Sequence, residues 1–303
     1  LAAFTYTSPR MFSCPMWANH SASHLARLRC LLLMEWAAVP LFRHLGIEKI
    51  LQMLTALLLE FRVLVVSKSA ELGSAVVLGL SSLLWPFSWQ HLLLPICPAS
   101  LQDAIIDAPV PFLCALPRVA HQVAQIPGPA DRPGMQATHF PGLRHSSFSG
   151  CSGHVRQKSA ARRHGVVICD VDRGTTAIPQ EFLNLLQGRC YKGRFLNLLP
   201  HLHTDLLSQL RLALLRAAKD PEGPEVRSAV SALCMRMQTG MLDLAKTVWE
   251  ASRSVRAEPG TAGWLQQMEA RLCCDDSESE FYKAFLNTET CLMFLAQTPG
   301  PVS

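Results

Sequence analysis

The chain has 303 residues, a formal net charge of +5, 49% hydrophobic and only 17% charged residues, enough to bury a real core in one large or two modest domains. The positive excess is too small and scattered to argue for nucleic acid by itself, and no nucleic-acid partner is expected. Eleven cysteines, with no Cys-x-x-Cys pair among them, read as free and mostly buried thiols of a reducing compartment rather than as a disulfide framework.

Residues 1–40 read as an irregular, partial N-terminal segment with one short apolar helix over Leu25–Leu33. LAAFTYTSPRMF lacks the order of a signal peptide, and a first residue that is Leu rather than Met leaves open that the chain is a fragment. In 46–61, GIEKILQMLTALLLEF, residues Ile47, Ile50, Leu51, Leu54, Leu57, Leu58 and Phe61 recur at helical spacing, the mark of a helix packed on a core. VLVVS follows as a short buried strand. Ser67 or Ser69 caps the next helix, ELGSAVVLGLSSLL, which stops before Trp85-Pro86 because the residue before proline avoids the helical region. Gly73, Ser74, Ala75 and Gly79 let that helix lie close to a neighbour.

From Leu72 to Gln102 no Asp, Glu, Lys or Arg occurs, a stretch longer than the ~20 residues of a membrane helix. Pro86, Gln90, His91 and Pro95 fall through its middle, and each would leave a polar group or a broken backbone bond in hydrocarbon. Buried soluble structure is therefore the better account, with a strand over Trp89–Leu94 ended by Pro95. Ser100 and Asp103 have the spacing of a capping box before LQDAII, and PFLCALP is another strand.

Residues 118–164 collect Pro, Gly, Ser, His and Arg without any core-forming period, and read as a disordered linker or an insertion. Order returns with GVVICDVDRG, a strand ending in two aspartates. Leu202–Ala218, Val226–Ser254 and a final helix over Ser279–Leu295 are amphipathic. The expected fold class is α/β: a central, mostly buried sheet flanked by helices, then a helical tail.

Few constellations suggest chemistry. His201, His203 and Asp205 have the look of a hydrolytic metal site, but a helix start capped by Thr204 or Asp205 explains them more cheaply. Cys151 and His154, near His145 and His164, match no strong zinc spacing, and the adjacent Cys273 and Cys274 are poorly placed to share a metal. Asp170 and Asp172 could hold a cation or act as acid and base; a turn cap, or an ion pair with Arg173, is the better reading. Arg156, Lys158, Arg162 and Arg163 could meet acidic lipid, although a solvated linker is the simpler account. No phosphate loop and no nucleophile elbow is present, so neither a hydrolase nor a group-transfer enzyme is visible, and no cofactor or metal is expected.

The motif order does carry one resemblance. Leu58-Leu59-Glu60 leading to a strand closing on Ser67 is followed by Pro86-Phe87, Trp89-Gln90-His91, Pro95 and Pro98. Pro109-x-Pro111-Phe112 comes next, and Asp170 and Asp172 appear after the insert. In this order the segments resemble the central and downstream portions of a DENN domain. The central region would occupy 41–117 and the downstream region 165–298, with 118–164 between them; the upstream, longin-like lobe is not recognisable. Trp85 stands where the family usually has tyrosine, and CALP replaces a glycine-containing strand end.

The resemblance implies a guanine nucleotide exchange factor for a Rab-type small GTPase, acting without covalent chemistry by stabilising the nucleotide-free GTPase. A DENN-like scaffold that binds a partner without exchange is the alternative. It also implies a cytoplasmic protein, peripheral on trafficking membranes if the basic linker touches lipid. Trp89, Gln90, His91, Asp170, Asp172 and Arg173 are the candidate partner-binding residues. Trp85, Phe87 and Trp89 are expected mainly to fill the core, and Gln90 and His91 must be hydrogen-bonded wherever they are buried.

Overall fold

The computed structural model describes residues 21–117, 165–179, 182, 224–272 and 276–297. Five strands form one sheet: β1 (Arg62–Ser67), β2 (Leu92–Leu94), β3 (Phe112–Pro117), β4 (Val166–Asp170) and β5 (Thr175–Ala177), in the order β2-β3-β1-β4-β5. The first four are parallel, with Val63 opposite both Leu113 and Val167, and β5 returns antiparallel to β4. Central position explains the unbroken apolar run of β1. Val63 and Val65 face one side with Leu113, Ala115, Val167 and Cys169, while Leu64 and Val66 face the other with Phe112, Cys114 and Leu116. A strand covered on both faces has no room for the polar half of an alternating pattern.

Among the described residues the first half of the chain contributes the helices α1 (Ser21–His44), α2 (Ile47–Leu58), α3 (Ala70–Leu83) and the short α4 (Gln102–Ile106). The described residues further along form α5 (Pro224–Arg253), α6 (Ala262–Leu272), α7 (Asp276–Phe285) and α8 (Glu289–Gln297). The larger core lies between the Val63 face of the sheet and α1, α2, α3 and the C-terminal helices; α4 helps cover the opposite face.

α2 is more deeply set than a one-sided helix, since its polar residues Gln52 and Thr55 are buried too. Thr55 Oγ1 donates to Leu51 O at 2.8 Å, and Gln52 Oε1 accepts from Thr176 Oγ1 at 3.1 Å. Ser69 caps α3 by accepting from Leu72 N at 3.2 Å, whereas Ser67 Oγ accepts from the Ser69 N–H. The small residues of α3 do bring it close to its neighbours. A Cβ built on Gly79 would stand 3.1 Å from Leu41 Cδ2 and 3.3 Å from Ala37 Cβ of α1, and one on Gly73 would stand 3.1 Å from Ala115 Cβ.

Several expectations need correction. The short helix over Leu25–Leu33 is in fact part of α1, which also takes in residues expected to be irregular and runs through Pro40. Apolar residues occupy most sides of α1: Ala37 and Leu41 are buried, while Leu32 is 67% and Trp36 46% exposed, so no period marks its length. The strand expected over Trp89–Leu94 shrinks to Leu92–Leu94. Ser100 caps nothing, because a 3-10 turn over Ala99–Leu101 leads into α4, whose N-cap position is Leu101. The final helix is two helices, broken by the turn at residues 286–288. β5 and α6 were not anticipated.

The uncharged stretch 72–102 is spent on α3, a turn, β2 and the 3-10 turn. Among the described residues no helix is long and apolar enough to cross a membrane. The described cysteines are thiols rather than disulfides, and all are buried apart from the half-buried Cys30. Burial pushes the thiols of Cys114, Cys169 and Cys234 up to about 12, leaving them chemically quiet. Residues 118–164, the helical pattern over 202–218, the His201-His203-Asp205 string, Cys151, His154, Cys273 and Cys274 lie outside the described residues.

The closeness of α1 and α3 gives a direct test. Gly79→Val places branched carbons against Leu41 and Ala37, and we expect a loss of about 1–3 kcal/mol of unfolding free energy in urea titrations.

Candidate functional site

The six candidate residues fall at opposite edges of the sheet. His91 immediately precedes β2, and Leu92 at its start pairs with Phe112 at the start of β3, so Trp89-Gln90-His91 lies at the edge where the parallel strands begin. Asp170 ends β4 opposite Val66, so Asp170, Asp172 and Arg173 lie where those strands end. A six-residue strand such as β1 separates the two edges by about 20 Å.

At the first edge the chain leaves α2 through a residue under backbone strain. Glu60 has φ +58°, a left-handed conformation that L side chains rarely adopt. It occupies the position usually given to glycine in a Schellman helix end: Glu60 N donates to Leu57 O at 3.0 Å and Phe61 N to Ala56 O at 2.8 Å. The strain, on the order of 1 kcal/mol, is met by what the side chain does. Glu60 Oε1 accepts from Thr290 N at 2.7 Å, at the beginning of α8 and 230 residues away in sequence. A carboxylate there satisfies an orphan N–H and suits the positive end of the helix. Thr288 assists, its Oγ1 accepting from Cys291 N at 3.2 Å.

His91 completes this junction. Its Nε2 lies 3.1 Å from Glu60 Oε1, an ion-pair contact not aligned as a hydrogen bond, and its Nδ1 lies 3.8 Å from Glu289 Oε2. Burial pushes the Glu60 carboxyl up, but the His91 side chain and the backbone N–H groups of Thr290 and Glu289 outweigh it and hold the carboxyl below its ordinary value. Trp89 stands edge-on to His91 at 5.2 Å, and its indole N–H donates to Leu92 O at 3.1 Å. Gln90 Nε2 donates to Ser88 O at 2.8 Å. Phe87, buried, meets Phe285 of α7 and Phe294 of α8 edge-on at 5.3 and 4.9 Å. Phe87 therefore fills the core as expected, whereas Trp85 and Trp89 are half-buried.

At the second edge the carboxylates close a turn. Asp172 Oδ2 accepts from Lys68 N at 2.8 Å and Oδ1 from Ser67 Oγ at 3.3 Å, tying the β4–β5 turn to the start of α3. Asp170 Oδ1 accepts from Arg173 N at 3.1 Å, and the Arg173 guanidinium lies 3.7 Å from Oδ2. Gly174, with φ +57°, completes the turn, and Lys49 Nζ donates to its carbonyl. Asp172 and Arg173 remain exposed to a partner. Among the described residues no group of three or more His, Cys, Asp or Glu converges as a metal site would require.

Glu289 and Thr290 were not among the candidate residues, and no local signal could have found them, since their link to Glu60 exists only in the folded chain. Glu60→Ala should cost about 1–3 kcal/mol at neutral pH, because it strands the Thr290 N–H and removes a charge-assisted bond. The folded carboxyl lies below its ordinary 4.5, so its contribution is complete above that value and is lost as the pH falls through the folded pKa. Denaturant titrations across this range should show the gap between wild type and Glu60→Ala closing on acidification.

Residues 23–128 match the family model described as the DENN (AEX-3) domain. Over 76 residues the chain is 40% identical to DENN domain-containing protein 2B of Mus musculus, covering 25% of this chain and 7% of that protein. Over 88 residues it is 39% identical to DENN domain-containing protein 2C of Homo sapiens, covering 26% and 9%. Over 78 residues it is 35% identical to the MAP kinase-activating death domain protein of Caenorhabditis elegans, covering 25% and 6%. The chain spans less than a tenth of the length of these relatives. By this match, and by the α/β unit that residues 23–117 build, residues 23–128 are similar to a DENN domain.

Proposed function

We propose that this chain binds a Rab-type small GTPase and speeds exchange of GDP for GTP by stabilising the nucleotide-free GTPase. The observation that carries the reading is the DENN match over residues 23–128, whose described part, 23–117, folds into β1, β2, β3 and the helices around them. Exchange of this kind asks for a surface that binds one state of the GTPase more tightly than another, and for no acid, base or metal. A GTPase covering a standard interface of about 800 Å² per partner would centre on one edge of the sheet rather than on both. Exposed Lys68, Asp172 and Arg173 offer charges at the edge where the strands end, and half-buried Trp89 and Gln90 offer an amphipathic rim at the edge where they begin. The protein would work in the cytoplasm, and the basic residues Arg156, Lys158, Arg162 and Arg163 would hold it peripherally on trafficking membranes.

A second reading, a DENN-like scaffold without exchange activity, is favoured by how the signature residues are spent. The polar groups of Trp89, Gln90 and Asp172 are taken up by contacts inside the chain, and His91 sits among carboxylates of the same chain. The motif that marks the family thus builds the fold, and the fold can be present where exchange is not.

Release of a fluorescent GDP analogue from a panel of Rab-type GTPases, measured with and without the purified chain, separates the two. Exchange activity predicts acceleration of at least an order of magnitude for one or a few GTPases, weakened by Arg173→Glu if the strand-end edge is used and by Gln90→Ala if the other is. A GTPase retained on the immobilised chain without acceleration selects the scaffold. Neither retention nor acceleration for any member removes both.

A further inference from the structure

The outer face of α1 carries large apolar side chains that the core does not use. Leu28, Leu32 and Trp36 are 42, 67 and 46% exposed, and they recur every fourth residue, so they share one side of the helix. Met34, Ala37, Ala38 and Leu41, all buried, take the opposite side. Glu35, also exposed, falls within the outer face. The three apolar side chains together present roughly 300 Å² to solvent, a patch of the size that marks an interaction site on a monomer.

Size and charge decide between two occupants. A second copy of the chain would bring another Glu35 to an apolar seam, and the patch offers well under the about 800 Å² per partner of a standard interface between chains. A tethered segment of the same chain needs far less area, because its effective concentration is set by the tether. Residues 1–20, which lie outside the described residues, lead directly into Ser21, where α1 begins. They carry Phe4, Tyr6, Met11, Phe12 and Trp17, and Arg10 is the one Lys, Arg, Asp or Glu among them. We infer that residues 1–20 double back along α1 and cover the Leu28-Leu32-Trp36 face, with Arg10 against Glu35.

The lengths agree. Glu35 stands fourteen residues into the helix, about 21 Å from its start at 1.5 Å per residue. Arg10 lies eleven residues before Ser21. If about four of these make a reversing turn, for which Asn19 is a suitable residue, the other seven span about 23 Å when extended. The aromatic residues on either side of Arg10 then fall along the stripe that flanks Glu35. A segment so placed closes the outer side of α1 and leaves the two edges of the sheet as the surfaces open to a partner.

Photo-crosslinking of the whole chain in dilute solution tests the placement. Leu32→p-benzoylphenylalanine and, as a second variant, Trp36→p-benzoylphenylalanine each put a photoreactive ring at an exposed position, and peptide mass spectrometry locates what it captures. Both variants should crosslink within one chain to residues 4–17. Glu35→Arg and Arg10→Glu should each lower the yield about two- to fivefold, as an exposed ion pair allows, and the two together should restore it. The proposal is overturned by crosslinks to a second chain, by crosslinks elsewhere in the same chain, by no crosslink from either position, or by a yield that neither charge reversal moves.

Discussion

The Glu60 carboxylate is the constraint on which the arrangement of this chain depends. It is the point where the end of α2, the approach to β2 and the start of α8 meet, three segments that sequence separation would otherwise leave unrelated. Its backbone is held in a conformation that glycine would adopt more easily, and glycine there would relieve the strain but carry no carboxylate. Retaining a strained glutamate makes sense when the side chain satisfies an otherwise orphaned helix N–H and lies against a nearly buried imidazole at once. The apolar counterpart lies close by, where Phe87 enters between Phe285 and Phe294. Polar and apolar contacts together fasten the C-terminal helices to the sheet.

This changes how the aromatic-Pro-Phe-x-Trp-Gln-His signature is to be understood. Phe87 is core, Trp89 closes its own turn by donating to Leu92 O, and His91 answers to Glu60. A motif of this kind is recognisable because its residues are mutually constrained by packing and hydrogen bonding, whatever the protein later binds. It identifies the DENN fold well and leaves the surface chemistry of partner choice to other residues. The aspartates past β4 behave similarly: Asp172 ties the β4–β5 turn to Lys68 and Ser67, and its exposed flank with Arg173 is what a partner could reach.

Between these two edges the frame is rigid for simple reasons. β1 is central and apolar on both faces, α3 lies against α1 through Gly79 and against β3 through Gly73, and α2 has hardly any exposed side. Elements packed this closely tolerate little movement of one against another.

Local sequence determined the parts whose pattern reports their surroundings. The period of 46–61 reads directly as α2, the unbroken VLVV run as a strand with both faces covered, and the Ser69 cap with Trp85-Pro86 as the bounds of α3, because each depends on neighbours a few residues away. The Trp-Gln-His signature, in its order with the strands around it, was enough to name the family. α1 escaped because residues apolar on most sides leave no period to read, and the final helix seemed continuous because Leu286–Thr288 carries no glycine or proline to announce the turn. Only the tertiary structure decided that Glu60 and His91 meet Glu289 and Thr290, and that the candidate residues lie on opposite edges of one sheet. Contacts across 230 residues are chosen by the packing of the whole core, and no short window of sequence contains them.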